Sequence, residues 1–111
     1  METNRQKRIT RLLQKDLGEI LQMEGRSWFP GTIVTVTKVQ ITNDLSIARV
    51  YLSIFGKNQG EIINQVTARG KEIRRLLGIR IKNQLRLTPE LRFFVDDSLD
   101  YLENIERLLK Q

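Results

Sequence analysis

Between residues 5 and 23 the apolar side chains fall at Ile9, Leu12, Leu13, Leu17, Ile20 and Leu21, while Arg5, Lys7, Arg8, Arg11 and Lys15 occupy positions between them. Spacings of three and four predict a helix with one buried and one basic face. Gly25 is its expected stop, and Trp28-Phe29-Pro30-Gly31 then reads as a turning loop. The period changes after that. Residues 33–42 are rich in Val, Ile and Thr, and Val39 and Ile41 alternate with polar neighbours as a half-buried strand requires. Val34 and Val36 sit on the opposite parity, so the strand either starts near Thr35 or contains a bulge. Asn43-Asp44 opens a turn. In residues 47–55, Ala48, Val50, Leu52 and Ile54 mark one face and Arg49 and Ser53 the other, which completes an antiparallel hairpin.

Residues 56–60 punctuate the chain, and helical spacing returns at Ile62, Ile63, Val66, Ile73, Leu76, Leu77 and Ile81, running toward Thr88-Pro89. The residue before a proline is pushed out of helical geometry, which sets the expected end. Leu91, Phe93 and Val95 alternate with Arg92 and Phe94 as a third strand. Asp97 or Ser98 then caps a last helix with Leu102, Ile105, Leu108 and Leu109 as its stripe. The predicted order is α-β-β-α-α-β-α in one domain spanning residues 1–111. Such an α+β chain packs its helices on one face of a three-stranded mixed sheet and leaves the other face more open.

One feature interrupts the second helical stretch. Ala68-Arg69-Gly70 lies at its centre, and a mid-helix glycine costs about 1 kcal/mol relative to alanine. Three causes are open: close packing against a neighbour, a left-handed helix cap, or approach of backbone to a ligand. The surrounding charge favours the third. From Arg69 to Arg86 there are seven basic residues (Arg69, Lys71, Arg74, Arg75, Arg80, Lys82, Arg86) and one acid, Glu72. Helical projection puts Lys71, Arg75, Lys82 and Arg86 on one stripe with Arg74 beside them. A solvated helix face normally intersperses both signs, whereas a one-sided stripe is the footprint of a phosphate backbone. A break before such a helix also exposes its first amides and its positive dipole end to an anion. Arg80 projects to the apolar side, an exception that a local shift at Gly78 or a snorkelling stem would accommodate.

Composition narrows the chemistry. The 111 residues contain no cysteine and no histidine, which removes thiolate nucleophiles, disulfides and the commonest proton shuttle and transition-metal ligand. The formal charge of +6 points to a polyanionic partner. The start of the chain is polar and basic with no apolar run suited to a secretory signal, and no stretch approaches the length of a membrane span, so a cytoplasmic protein is expected. Trp28 is either a base-stacking ring or an aromatic lid on the first helix.

The helix-break-helix centre in an α-β-β-α-α-β order resembles a type II KH domain. Ala68-Arg69-Gly70 resembles the AxG kink of the ribosome-binding factor A family, as do "RITRLLQKDLGEIL", "LSIARVYLSIFG" and "LRLTPELRFFVDDSLDYLENIERLL". The resemblance covers nearly the whole chain. It implies a non-enzymatic assembly factor, acting as a monomer without cofactor, metal or membrane. Its partner would be small-subunit ribosomal RNA on the free 30S subunit or its precursor, during late maturation near the RNA ends and in support of growth in the cold. Carried over by position, the RNA contacts fall on Ala68, Gly70 and the basic residues after them. With the charge reading, the candidate set is Arg5, Lys7, Arg8, Ala68, Arg69, Gly70, Lys71, Arg74, Arg75, Lys82 and Arg86. The chain ends at Gln111, so roles of the long C-terminal extension in some members are not carried over.

Other readings remain open. Asp96, Asp97, Asp100, Glu103 and Glu106 would suit a Mg²⁺-dependent phosphoesterase, although acids in the opening turns of a helix are accounted for by its dipole. The same acids would equally meet basic ribosomal proteins. The first helix would suit docking on acidic lipid or protein, but its apolar stripe is needed to cover the sheet.

Overall fold

The computed structural model describes residues 2–56 and 58–96. The elements run α1 (Asn4–Trp28), β1 (Ile33–Ile41), β2 (Ile47–Phe55), α2 (Gln59–Ala68), α3 (Gly70–Ile81) and β3 (Glu90–Val95). The helix expected after β3, and all of the acidic cluster except Asp96, lie outside the described residues.

The start of α1 is set by Thr3, whose hydroxyl accepts from the Gln6 amide at 3.1 Å while its own N–H donates to Gln6 Oε1 at 2.8 Å. Gln6 is buried, and its amide group also donates to Asn43 Oδ1 at 3.0 Å, tying this end of α1 to the hairpin turn. Gly25 does not stop the helix. It continues to Trp28, and the Phe29 N–H closes on the Gly25 carbonyl at 2.8 Å. The extra turn delivers the Phe29 ring into the core, where it is 2% exposed. Burying such a ring is worth about 1.5–3 kcal/mol, more than one helical glycine costs.

β1 and β2 pair antiparallel, β2 and β3 parallel, and the sheet order is β1-β2-β3. The parity conflict in β1 is resolved by a bulge: Val36 pairs with Leu52 and Lys38 with Tyr51, leaving Thr37 extra. Val34, Val36 and Val39 therefore share the buried face despite their spacing. The Thr37 hydroxyl is held by the Tyr51 carbonyl at 3.2 Å and the Asp96 carboxylate at 2.6 Å. The hairpin turn contains Leu45 at φ 63, a left-handed position held by a partly buried leucine packed on the core.

Leu13, Leu17, Val50, Leu52, Val66, Ile73, Leu77 and Ile81 form the centre of the core between the helices and one face of the sheet. The opposite face carries Lys38, Gln40, Arg49, Tyr51, Arg92 and Phe94, and no described helix covers it. Helix α3 ends at Ile81, seven residues before Thr88, because the chain turns there to bury Leu85. Among the described residues no helix is long and apolar enough to cross a membrane.

Candidate nucleic-acid interface

The break between α2 and α3 consists of Arg69 alone, at φ −93 and ψ 10. Its N–H still reaches back to the Gln65 and Val66 carbonyls, at 3.2 and 3.1 Å, and its carbonyl accepts from Ile73 at 2.9 Å. One helix thus closes where the next opens. No side chain caps α3. Its first amides therefore sit beside the basic residues that follow, the arrangement that favours an anion.

Gly70 has no folding role that requires glycine. Among the described glycines only Gly31 and Gly56 have positive φ, so Gly70 is not a left-handed cap. A Cβ placed on it would meet Phe93 Cε2 at 3.9 Å, ordinary contact, so close packing is not the cause either. Gly78 differs. A Cβ there would fall 2.9 Å from Thr88 Oγ1, so this glycine lets the 86–89 segment lie against α3. The helix stays regular through it. Arg74 fixes the same approach, donating to the Thr88 carbonyl at 2.6 Å and to the Pro89 carbonyl at 3.1 Å.

That approach builds a cleft of about 390 Å³ lined by Lys71, Arg74, Arg75, Gly78, Arg86, Leu87 and Thr88. Four cations meet there with no acid in the lining. Arg86 reaches the cleft from the turn after α3, so the single helical stripe drawn from the sequence is replaced by a helix and a returning segment. Lys82 is the C-terminal cap of α3, exposed but outside that lining. Lys71, Arg75, Lys82 and Arg86 make no ion pair among the described residues.

Three of the seven basic residues have structural employment. The Arg69 guanidinium stands 4.7 Å over the Trp28 ring and 3.6 Å from Glu72. Trp28 is thus a lid at the end of α1 whose ring carries the protein's own cation. Arg74 braces the cleft wall. Arg80 turns toward α1, pairing with Asp16 at 3.3 Å and with Glu19. Its hydrogen bond to Glu19 raises its pKa, against the opposing effect of burial. The apolar-side projection of Arg80 is therefore a cross-helix ion pair, without a shift at Gly78 and without snorkelling to solvent. Nothing in the charge pattern identified Asp16 as its partner, because the two are 64 residues apart.

The first-helix candidates lie elsewhere. Arg5 and Arg8 line a groove of about 510 Å³ with Ile9, Leu12 and Gln84, sharing no lining residue with the cleft. Lys7 is exposed between them, and Ala68 is exposed at the end of α2. Among the described residues, no group of three or more acids is placed to hold a metal ion.

Element order, mixed sheet and helix-break-helix unit together define a type II KH-like domain. A family model described as ribosome-binding factor A matches residues 5–109. The chain belongs to the ribosome-binding factor A family. It is 48% identical over 111 residues to the ribosome-binding factor A of Christiangramia forsetii, covering 98% of this chain and 85% of that protein. The corresponding Flavobacterium psychrophilum protein is 45% identical over the same shares. Among solved structures, the crystal structure of ribosome-binding factor A from Thermus thermophilus matches with a TM-score of 0.70 at 20% identity, over 81% of this chain and 94% of that one. A homology model of that factor, fitted into a cryo-electron-microscopy map of a 30S complex of ribosome-binding factor A, matches with a TM-score of 0.65 at 24% identity, over 79% and 91%. At those identities the likeness is one of fold.

Proposed function

We propose that the protein is a non-enzymatic assembly factor that binds the small ribosomal subunit by seating RNA phosphates in the cleft between α3 and the 86–89 segment. The observation that carries this reading is the convergence of Lys71, Arg75 and Arg86 on one cleft without an acid to neutralise them. Like charges gathered in the fold raise its energy, and a polyphosphate chain lowers it. Gly70, which the fold does not need, supplies bare backbone beside the uncapped start of α3. The 30S complex of ribosome-binding factor A into which the Thermus thermophilus homology model was fitted supports the choice of partner. Action as a monomer in the cytoplasm, late in maturation near the RNA ends and with a benefit for growth in the cold, completes the reading.

The test is crosslinking of the purified protein to immature and mature small subunits, with the crosslinked RNA positions mapped. Crosslinks from Lys71, Arg75 and Arg86 to RNA, enriched on the immature particle, are expected. Crosslinks from these residues to ribosomal proteins alone would overturn RNA recognition by the cleft.

A further inference from the structure

The sheet face turned away from the helices has a composition that the fold does not account for. Its register places side chains in rows: Lys38, Tyr51 and Phe94 in one, Gln40, Arg49 and Arg92 in the next. The Tyr51 and Phe94 rings lie stacked, with centroids 5.4 Å apart and planes at 27°. Phe94 is 40% exposed, and Lys38 Nζ stands 5.8 Å from the Tyr51 ring centre. Arg49 and Arg92 are direct cross-strand partners. Like charges in that relation destabilise a sheet. Three acids stand near the cluster and moderate it, with Glu2 lining one groove together with Lys38, Gln40 and Arg49. Glu90 lies 3.7 Å from Arg92, and the Asp96 carboxylate accepts from Thr37.

We infer that this face is a second RNA surface, on which unpaired bases stack against Tyr51 and Phe94 while Lys38, Arg49 and Arg92 meet the adjoining phosphates. Flat aromatic rings bordered by cations are what single strands use, since every base offers a π-face once it leaves a helix. A duplex keeps those faces covered. The charge selects a polyanion, and the paired rings select a polyanion with exposed aromatic groups. The inference rests on the RNA-binding reading of the protein but not on the cleft, whose residues lie on the helical side.

The experiment measures binding of a short fluorescein-labelled oligouridine, and of a labelled RNA duplex of matched length, by anisotropy. It uses the full chain and three variants: Phe94→Leu, Arg49→Gln with Arg92→Gln, and Lys71→Gln with Arg75→Gln and Arg86→Gln. The single strand is expected to bind more tightly than the duplex and to shift the Tyr51 and Phe94 ring resonances. Phe94→Leu should weaken single-strand binding at least about fivefold, the lower bound for one stacked base. The arginine pair should weaken it and flatten its salt dependence, and the cleft variant should retain the ring shifts. Thermal melts verify folding, and Tyr51→Leu repeats the test if Phe94→Leu melts early. Equal binding of duplex and single strand, or binding unaltered by both ring variants, would overturn the inference. So would ring shifts abolished by the cleft variant alone. If the cleft variant keeps 30S binding, the proposed cleft function fails while the sheet inference is judged separately by its own variants. Anionic vesicles binding through the same residues, with no RNA binding, would also refute it.

Discussion

Replacing Gly70 with alanine should separate folding from function. Gly70 is the first residue of α3, its φ is not in the left-handed region, and an added Cβ would rest 3.9 Å from the Phe93 ring. At a compatible position, Gly→Ala stabilises by about 0.4–1 kcal/mol, chiefly by removing freedom from the unfolded chain. For a domain of this size that raises Tm by about 2–6 °C. The opposite holds for ligand binding if the bare backbone receives a phosphate, because a methyl group keeps the anion from the first amides of α3. Loss of one charge-assisted hydrogen bond, about 1.5–3 kcal/mol, weakens binding by roughly 10- to 150-fold. Thermal denaturation and sedimentation binding to 30S subunits measure the two effects on one sample. Gly78→Ala is the control, since its Cβ would crowd Thr88 Oγ1 at 2.9 Å and should lower Tm instead. A less stable Gly70→Ala would refute the packing argument, and a more stable variant with unchanged 30S affinity would refute backbone recognition at the break.

Neutralising Lys71, Arg75 and Arg86 together should flatten the log–log salt dependence of 30S binding by about 2–3 units of slope, at about 0.7–0.9 per phosphate contact, with an unaltered melt. Arg80→Met should destabilise the fold by about 1–3 kcal/mol in urea denaturation without changing that slope, because it strands the buried Asp16 carboxylate while solvent screens the exposed part of the pair. The Asp44 carboxyl is held below the usual carboxylate range by hydrogen bonds from the Ser46 and Thr42 side chains and the Ser46 amide. A depressed folded pKa contributes stability above the unfolded value and loses it as pH falls through the folded one. The difference in Tm between the native chain and Asp44→Asn should therefore be full at neutral pH and shrink below about pH 4.

Periodicity carried most of the fold because each element has one buried face, and the two valine parities of β1 left a start near Thr35 or a bulge as alternatives, of which the fold has the bulge, at Thr37. Its errors came where tertiary burial overrode local preference. Gly25 was overridden by the burial of Phe29, and the end of α3 was set by Leu85 turning inward rather than by Pro89. Leu45 carries a left-handed φ with no residue-type signal, since leucine rarely adopts it. The site was legible as a charge excess but not as an arrangement. Helical projection sets Arg80 apart but gives no partner for it, and it does not distinguish Arg69 or Arg74 from the free cations, while the fold uses all three: one on Trp28, one on the Thr88 and Pro89 carbonyls, one on Asp16 and Glu19. Projection also misplaces Arg86, which reaches the cleft only because Gly78 and Arg74 draw its segment back onto α3.

That division bears on how the cleft works. Arg74 sits among the cleft cations, yet its hydrogen bonds are what hold the opposite wall, so neutralising it removes charge and bracing together. Lys71, Arg75 and Arg86 hold nothing in place among the described residues and keep the full rotamer freedom of long exposed side chains. In the RNA complex proposed above, seating a phosphate backbone would order them at an entropic cost of up to about 2 kcal/mol per side chain, which the counterions released from the phosphates would offset. A rigid wall made by Arg74 and Gly78 keeps that cost confined to three side chains. Loosening the wall would spread it over the 86–89 segment, so charge-preserving changes at Arg74 should weaken 30S binding while leaving its salt slope intact.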